Sequence, residues 1–230
     1  MNATHSWNPI RRTSVYHELL ELGAVMADSE GWRLPLHFGD AEQESETVRS
    51  SVGLTDVSAN RKWEIKGVDL ESSIRSSSVD APLPGHVVST DFGWLCRISH
   101  KHALLVSGQD DPTILSHIKN QCSDESCTHL LDRTDGLMNL RLSGPRASPL
   151  LSKLGAFDLR ESAFPDLRCL CGPMAGIQTF LVRRDQYELP GYEVLFSSEY
   201  GSYLLDAIAE AGKEFQIRPY GRDATKLLED

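Results

Sequence analysis

Residues 52–74, VGLTDVSANRKWEIKGVDLESSI, constrain the fold more than any other stretch. Trp63 and Ile65 alternate with Lys62, Glu64 and Lys66, the period of two expected of a strand with one buried face. Gly67 turns the chain, and Asp69 stands where it can cap a helix carrying Leu70 and Ile74 four apart. Gly53 can close a helical run before this unit, and Thr55 to Asn60 reads as a polar loop. The same form of strand, tight turn and amphipathic helix returns in ALLVSG-QDDPTILSHI, LRLSG-PRASPLLSKL and YEVLFS-SEYGSYLLDAI. These units, with extra strands between them, predict an α+β fold of two ferredoxin-like α/β halves. Duplication explains the regularity; so does the frequency of such motifs in α+β proteins generally. No long flexible linker divides the chain, so residues 1–230 are expected to pack as one body, with lobes at about 14–135 and 136–230.

The other elements follow from punctuation. Ser14 can cap a short helix ending at Gly23, and Trp32 to Phe38 is apolar but broken by Pro35, an irregular or edge segment. Asp40 to Val52 has an acidic first turn and apolar residues four apart, a helix. Phe92 to Ile98 and Ala103 to Val106 predict a hairpin, and Asp111-Pro112 opens a helix to about Asn120. Further strands are expected at Thr128 to Leu131, Leu137 to Leu142, Ile177 to Val182 and Tyr192 to Phe196. A helix follows from Glu199 to Glu210, and Phe215 to Asp230 reads as a short tail.

Charge and cysteine usage narrow the function. With 33 acidic against 23 basic residues the net charge is -10, which argues against non-specific nucleic-acid binding and against an anionic membrane surface. No apolar run has the roughly 20 residues of a membrane span, and MNATHSWNPIRR lacks the apolar centre of a signal peptide, pointing to the cytosol. Five cysteines, an odd number, do not suggest a disulfide framework, and Cys169-Leu-Cys171 has no second pair at zinc-finger spacing, so no metal site is expected.

No phosphate loop, HExxH or GxSxG motif is present, so covalent and metal catalysis have no positive support. Acidic residues at element ends remain. Asp91, just before the apolar Phe92-Gly93-Trp94, can be desolvated and so poised to exchange a proton with an amine; the alternative is a plain turn aspartate. Glu193 alternates with Tyr192, Val194 and Phe196, so it points away from them and needs solvent, a cation or a ligand donor. Arg222 can be that cation, can share a ligand with it, or can form a mere surface pair.

Several stretches resemble the T-protein of the glycine cleavage system. LGAVMADSEGWRLPLHF and VRSSVGLTDVSANRKWEIKG are similar to its helix, GW-x-[ML]-P, VR…GL-x-DVS and strand-Gly order. LSGPRASPLLSKL, PGYEVLFSSEYGSYLLDAIAEAG and RPYGRDATKLLE resemble its Gly-Pro helix, its G-[FYW]-E-[IV] strand and its closing ARD-x-L-x-LE run, so the likeness covers residues 16–229. The resemblance implies a folate-binding body and an aminomethyltransferase-like activity: methylene or methyl transfer to tetrahydrofolate, or demethylation, with a small amine or methoxy donor. It implies that Glu193, Tyr192 and Arg222 bind the folate. The family's essential aspartate lies in a DD-L-[IV]-V run that here reads TDF-GWLCR. Aligned without a gap, Asp91 takes the first position and Phe92 the second, and Asp91 serves as the catalytic residue only if the chain shifts by one. The family's C-terminal β-rich domain has no counterpart before Asp230. The alternative is therefore a non-catalytic folate-fold subunit or scaffold of a multi-subunit amine oxidase or demethylase, similar to the small chain of sarcosine oxidase, with a partner subunit supplying the missing domain.

Overall fold

In a computed structural model, residues 10–68, 70–75, 80–90, 93–108, 116 and 128–229 are described. Helix α1 is Tyr16–Glu21, followed by the ribbon of β1 (Val25–Ser29) and β2 (Trp32–His37), helix α2 (Ala41–Ser50) and β3 (Gly53–Asp56). Strand β4 (Arg61–Gly67) leads into α3 (Leu70–Arg75), then β5 (His86–Thr90), β6 (Gly93–Ser99), β7 (His102–Ser107) and β8 (Thr128–Asp132). Then come β9 (Leu137–Ser143), α4 (Ala147–Leu151), β10 (Cys169–Met174), β11 (Ile177–Arg183), β12 (Gly191–Ser197), α5 (Gly201–Gly212), β13 (Arg218–Pro219) and α6 (Arg222–Glu229).

Two larger sheets carry the architecture. One has the order β5-β6-β7-β4-β8. Removing its edge strand β5 leaves β6-β7-β4-β8, the 2-3-1-4 order of a ferredoxin-like unit whose first strand is β4. The other runs β10-β11-β12-β9-β3-β13. It is the same arrangement built on β9, with β10 added at one edge and β3 inserted between the first and fourth strands. The expected α+β fold with two ferredoxin-like units is therefore present. The predicted repeats are the first and third strands of each unit, β4, β7, β9 and β12. The helix predicted after β7, and the Asp69 cap, lie outside the described residues.

Each sheet covers one face with helices. Trp63, Ile65, Leu95 and Leu105 pack on Leu70 and Ile74 of α3. Met138, Leu140, Leu142, Tyr192, Val194 and Phe196 face α4 and α5 through Leu150, Leu151, Leu204 and Ile208. The opposite faces meet: Val87, Trp94, Cys96, Leu104 and Val106 of one sheet pack against Leu137, Val182 and Leu195 of the other. The layer between the sheets is thus interior on both sides, and polar residues in phase with it are buried except toward strand ends such as Lys66 and Gln178.

Four local readings are revised. The strand β3 takes in Thr55 and Asp56, the first two residues of the stretch read as a loop, while residues 57–60 lie outside any strand; its four residues are too short to show a period and are held by β9 on one side and β13 on the other. Gly53, read as a helix stop, is the start of that strand, and a Cβ there would lie 2.4 Å from Val48 Cγ2. Ser14 does not cap α1; its Oγ lies 2.8 Å from Met138 Sδ. The tail contains β13 and the helix α6, whose Ala224 and Leu228 pack with Tyr220 and Val48 of α2. Glu44 fastens this end: its Oε1 accepts from Phe38 N at 2.6 Å and its Oε2 from Gly221 N at 2.9 Å, satisfying a donor at the start of α6. Asp40, read as the first residue of the helix, instead caps α2 by accepting from Glu42 N and Gln43 N.

Candidate functional site

Alternation in two neighbouring strands builds a buried polar cluster. In β9, Asn139, Arg141 and Ser143 share the phase of Leu137, which faces the other sheet. In β12, Glu193 shares the phase of Leu195, and Glu193 stands opposite Arg141 in register. Glu193, Arg141 and Asn139 are buried. Lys62 and Glu64 meet the same layer from β4, being paired with Val106 and Leu104. They were expected on a solvated face; the second sheet covers it, and Lys62 is 0% exposed.

Glu193 is fully engaged. Arg184 Nη1 donates to its Oε1 at 2.6 Å and Asn139 Nδ2 to its Oε2 at 2.6 Å, with Arg141 Nη1 at 3.5 Å from Oε1. Arg141 is held in turn: its Nη2 donates to Arg184 O at 2.9 Å and its Nε to Ser143 Oγ at 3.1 Å, and Ser143 Oγ lies 3.2 Å from Tyr220 Oη. The Arg184 guanidinium carbon sits 5.5 Å from the centre of the Trp94 ring. Asn139 Oδ1 is buried with no hydrogen-bond partner among the described residues.

Lys62 supplies a second charge. Its Nζ donates to Ser58 O at 2.7 Å and to Asn60 O at 2.8 Å. Burial lowers its pKa to about 8, opposed by the negative field of Asp56. Asp56 is itself buried, which raises its pKa, although Ser58 N donates to its Oδ1 at 2.9 Å. The unfolded lysine has the higher pKa, 10.5. Between the two values the unfolded chain binds the proton that the folded chain releases, so the penalty is full below the lower value and fades as pH rises. Raising the pH from about 7.5 to about 9.5 is therefore expected to stabilise the parent by about 2 kcal/mol relative to Lys62→Met. Urea unfolding of both proteins at the two pH values measures this, and parallel pH profiles would contradict it.

The residues expected at the site separate. Glu193 lies at the centre of the cluster. Arg222 does not join it: it is exposed at the start of α6, beyond β13 at the sheet edge, three strands from β12. The cations on Glu193 are Arg184 and Arg141 instead. Tyr192 also lies elsewhere, because its neighbour position in a strand places it on the opposite face, 1% exposed in the core beneath α4 and α5. Asp91 and Phe92 lie outside the described residues. The signal for Asn139 and Arg141 was in the sequence: LMNLRLS alternates apolar and polar in phase with a central strand.

Comparison with known proteins assigns the family. The model of the GCVT N-terminal domain matches residues 85–229. The chain belongs to the GCVT N-terminal domain family. Aminomethyltransferase from Thermotoga maritima is 28% identical over 95% of this chain and 64% of its own length. Aminomethyltransferase from Bacteroides thetaiotaomicron is 27% identical with the same two coverages. The chain thus spans less than two thirds of these curated relatives. Among solved structures, glycine cleavage system aminomethyltransferase T from Bartonella henselae superposes with a TM-score of 0.78 at 17% identity, over 96% of this chain and 62% of that one. A chain of the heterotetrameric sarcosine oxidase from Corynebacterium sp. U-96, in complex with pyrrole 2-carboxylate, superposes with a TM-score of 0.69 at 18% identity, over 89% of this chain and 96% of that one. The T-protein resemblance and the fold drawn from it stand. Within this GCVT-type fold, the donor set is partly suited to a reduced pterin: a carboxylate for ring N–H groups and an indole face for stacking. Its occupancy is not. With Arg184 seated, both carboxylate oxygens accept from the protein and the Glu193 side chain is 4% exposed, so among the described residues a ring would meet Glu193 only in place of Arg184. Among the described residues no helix is long and apolar enough to cross a membrane.

Proposed function

We propose that this protein binds tetrahydrofolate and takes part, as an aminomethyltransferase-like protein, in methylene or methyl transfer from a small amine or methoxy donor. One observation carries this reading: an acid on the G-Y-E-V strand, Glu193, is buried between two sheets and joined through Arg184 to the face of Trp94. Burying a carboxylate is costly unless donors surround it, and that cost is tolerated most readily where the group has a task. The aminomethyltransferase relatives support the same class. Asp91 would accept or relay a proton near the folate nitrogen, and Arg222 would meet the ligand only from the sheet edge.

Titration with tetrahydrofolate, followed by tryptophan fluorescence, tests the reading. The parent is expected to bind weakly but saturably, and Glu193→Gln, which keeps the shape of the side chain, to lose binding at least tenfold. Formation of methylene-tetrahydrofolate from an aminomethyl donor, with Asp91→Asn as the comparison, tests the proton role; an active parent untouched by that change would remove Asp91 from the scheme.

A second reading is favoured by the saturation of Glu193, whose ring of protein donors is complete without a ligand. Under it the chain is a non-catalytic folate-fold subunit or scaffold, similar to a chain of the heterotetrameric sarcosine oxidase, and works with a partner subunit. No tetrahydrofolate binding by the parent or by any variant that opens the site would leave this reading alone.

A further inference from the structure

We propose that Arg184 occupies, from within the chain, a seat for a flat, N–H-rich ring between Glu193 and Trp94. The guanidinium is itself such a group: planar, rich in donors, bound to Glu193 Oε1 at 2.6 Å and lying over an indole. Its side chain is 16% exposed, against 6% for Arg141 and 4% for Glu193, so it enters the cluster from the solvent side. Its backbone is fixed independently, since Arg184 N donates to Gly191 O at 2.8 Å and Arg184 O accepts from Arg141 Nη2. The side chain can therefore leave without unpairing β11 from β12.

What remains after it leaves is a ligand-facing set. Arg141 stands 3.5 Å from Oε1, too far to replace the lost bond, while Asn139 Nδ2 keeps Oε2 at 2.6 Å. The buried Asn139 Oδ1, which has no partner among the described residues, provides a second acceptor on the same amide. Two acceptors and an aromatic face recognise an aminopyrimidine or guanidine edge. That the natural ligand is the pterin of tetrahydrofolate rests on the function proposed above; the seat itself rests on this geometry alone.

A ligand that must displace Arg184 binds more weakly by the fraction of time the seat is open. Arg184→Ala removes the competitor and creates a gap of the shape of ethylguanidinium, which the smaller methylguanidinium can enter. Parent, Arg184→Ala and Arg184→Ala/Glu193→Gln are titrated with methylguanidinium and separately with tetrahydrofolate, read by NMR at the Trp94 indole N–H. Methylguanidinium is expected to bind Arg184→Ala saturably and to bind neither the parent nor the double variant. Tetrahydrofolate is expected to bind Arg184→Ala roughly tenfold to a hundredfold more tightly than the parent. If methylguanidinium binds and tetrahydrofolate does not, the seat stands and the folate reading falls. If tetrahydrofolate binds parent and variant equally, the folate reading stands and the role of Arg184 is overturned. Binding of neither probe to Arg184→Ala overturns the proposal, and Arg184→Gln, which retains a polar group, carries the same test if the alanine variant does not fold.

Discussion

Glu193→Ala lowers the free energy of unfolding by about 3–5 kcal/mol, the expected result of leaving the interior Arg141 guanidinium without its anion and removing the anion that Arg184 binds. Arg141 is 6% exposed and bound at one end to Ser143, so it cannot turn to water, and Asn139 Nδ2 loses its only described acceptor. Glu193→Gln keeps an oxygen for one donor and is expected to cost less than half as much. Arg222→Ala, exposed on α6, is expected to stay within about 0.5 kcal/mol of the parent. Urea unfolding of the three variants gives the comparison. Equal values for Glu193→Ala and Arg222→Ala would mean that the cluster contributes nothing to the fold and that water reaches its centre.

Gly144→Ala is expected to cost about 3 kcal/mol or more, or to prevent folding. Gly144 ends β9 with φ +118° and closes the turn into α4. A Cβ there would stand 2.4 Å from both Ser51 O and Val48 O, the carbonyls at the end of α2. These are backbone atoms, so no rotamer change relieves the contact. Gly176→Ala is the comparison: its φ is +82° but nothing lies within 4 Å of the added carbon, so only backbone strain of about 1 kcal/mol is expected. Thermal melts of the two variants separate steric collision from conformational preference, and similar midpoints would show that α2 yields to the methyl group.

The sequence made the repeated units legible because each joins a period-two stretch to a period-four stretch through a turn residue. The strands β4, β9 and β12 and the helices after them fall where those signals are. Elements held by their neighbours were not legible. The Gly53–Asp56 strand has no pattern of its own, and Cys169–Met174 mixes glycine and proline into an edge strand. For the site, period two located Glu193 and correctly turned it away from Tyr192 and Val194. It could not say what stood opposite, because the cross-strand match to Arg141 depends on register. Nor could it reveal that a second sheet covers Lys62, since a charged strand face reads as solvated until something is packed on it. Tyr192 and Arg222 were assigned by motif. Strand alternation sends the first into the core, and the second stands exposed at the start of α6, outside the ion pairs on Glu193.

The insertion of β3 also bears on how the protein is made. Gly53 and Leu54 pair in parallel with Arg218 and Pro219, so residues early in synthesis wait for residues that leave the ribosome much later. Until then one border of β3 has its amide and carbonyl groups unclaimed, an invitation to a neighbouring nascent chain. The unit built on β4 completes the pairing within its own sheet by Asp132, although β5 still waits for residues 167–169 and its inner face for Val182 and Leu195. The nascent protein would therefore pass through a state in which one lobe has its strands paired but one face uncovered, and β3 still presents an open edge.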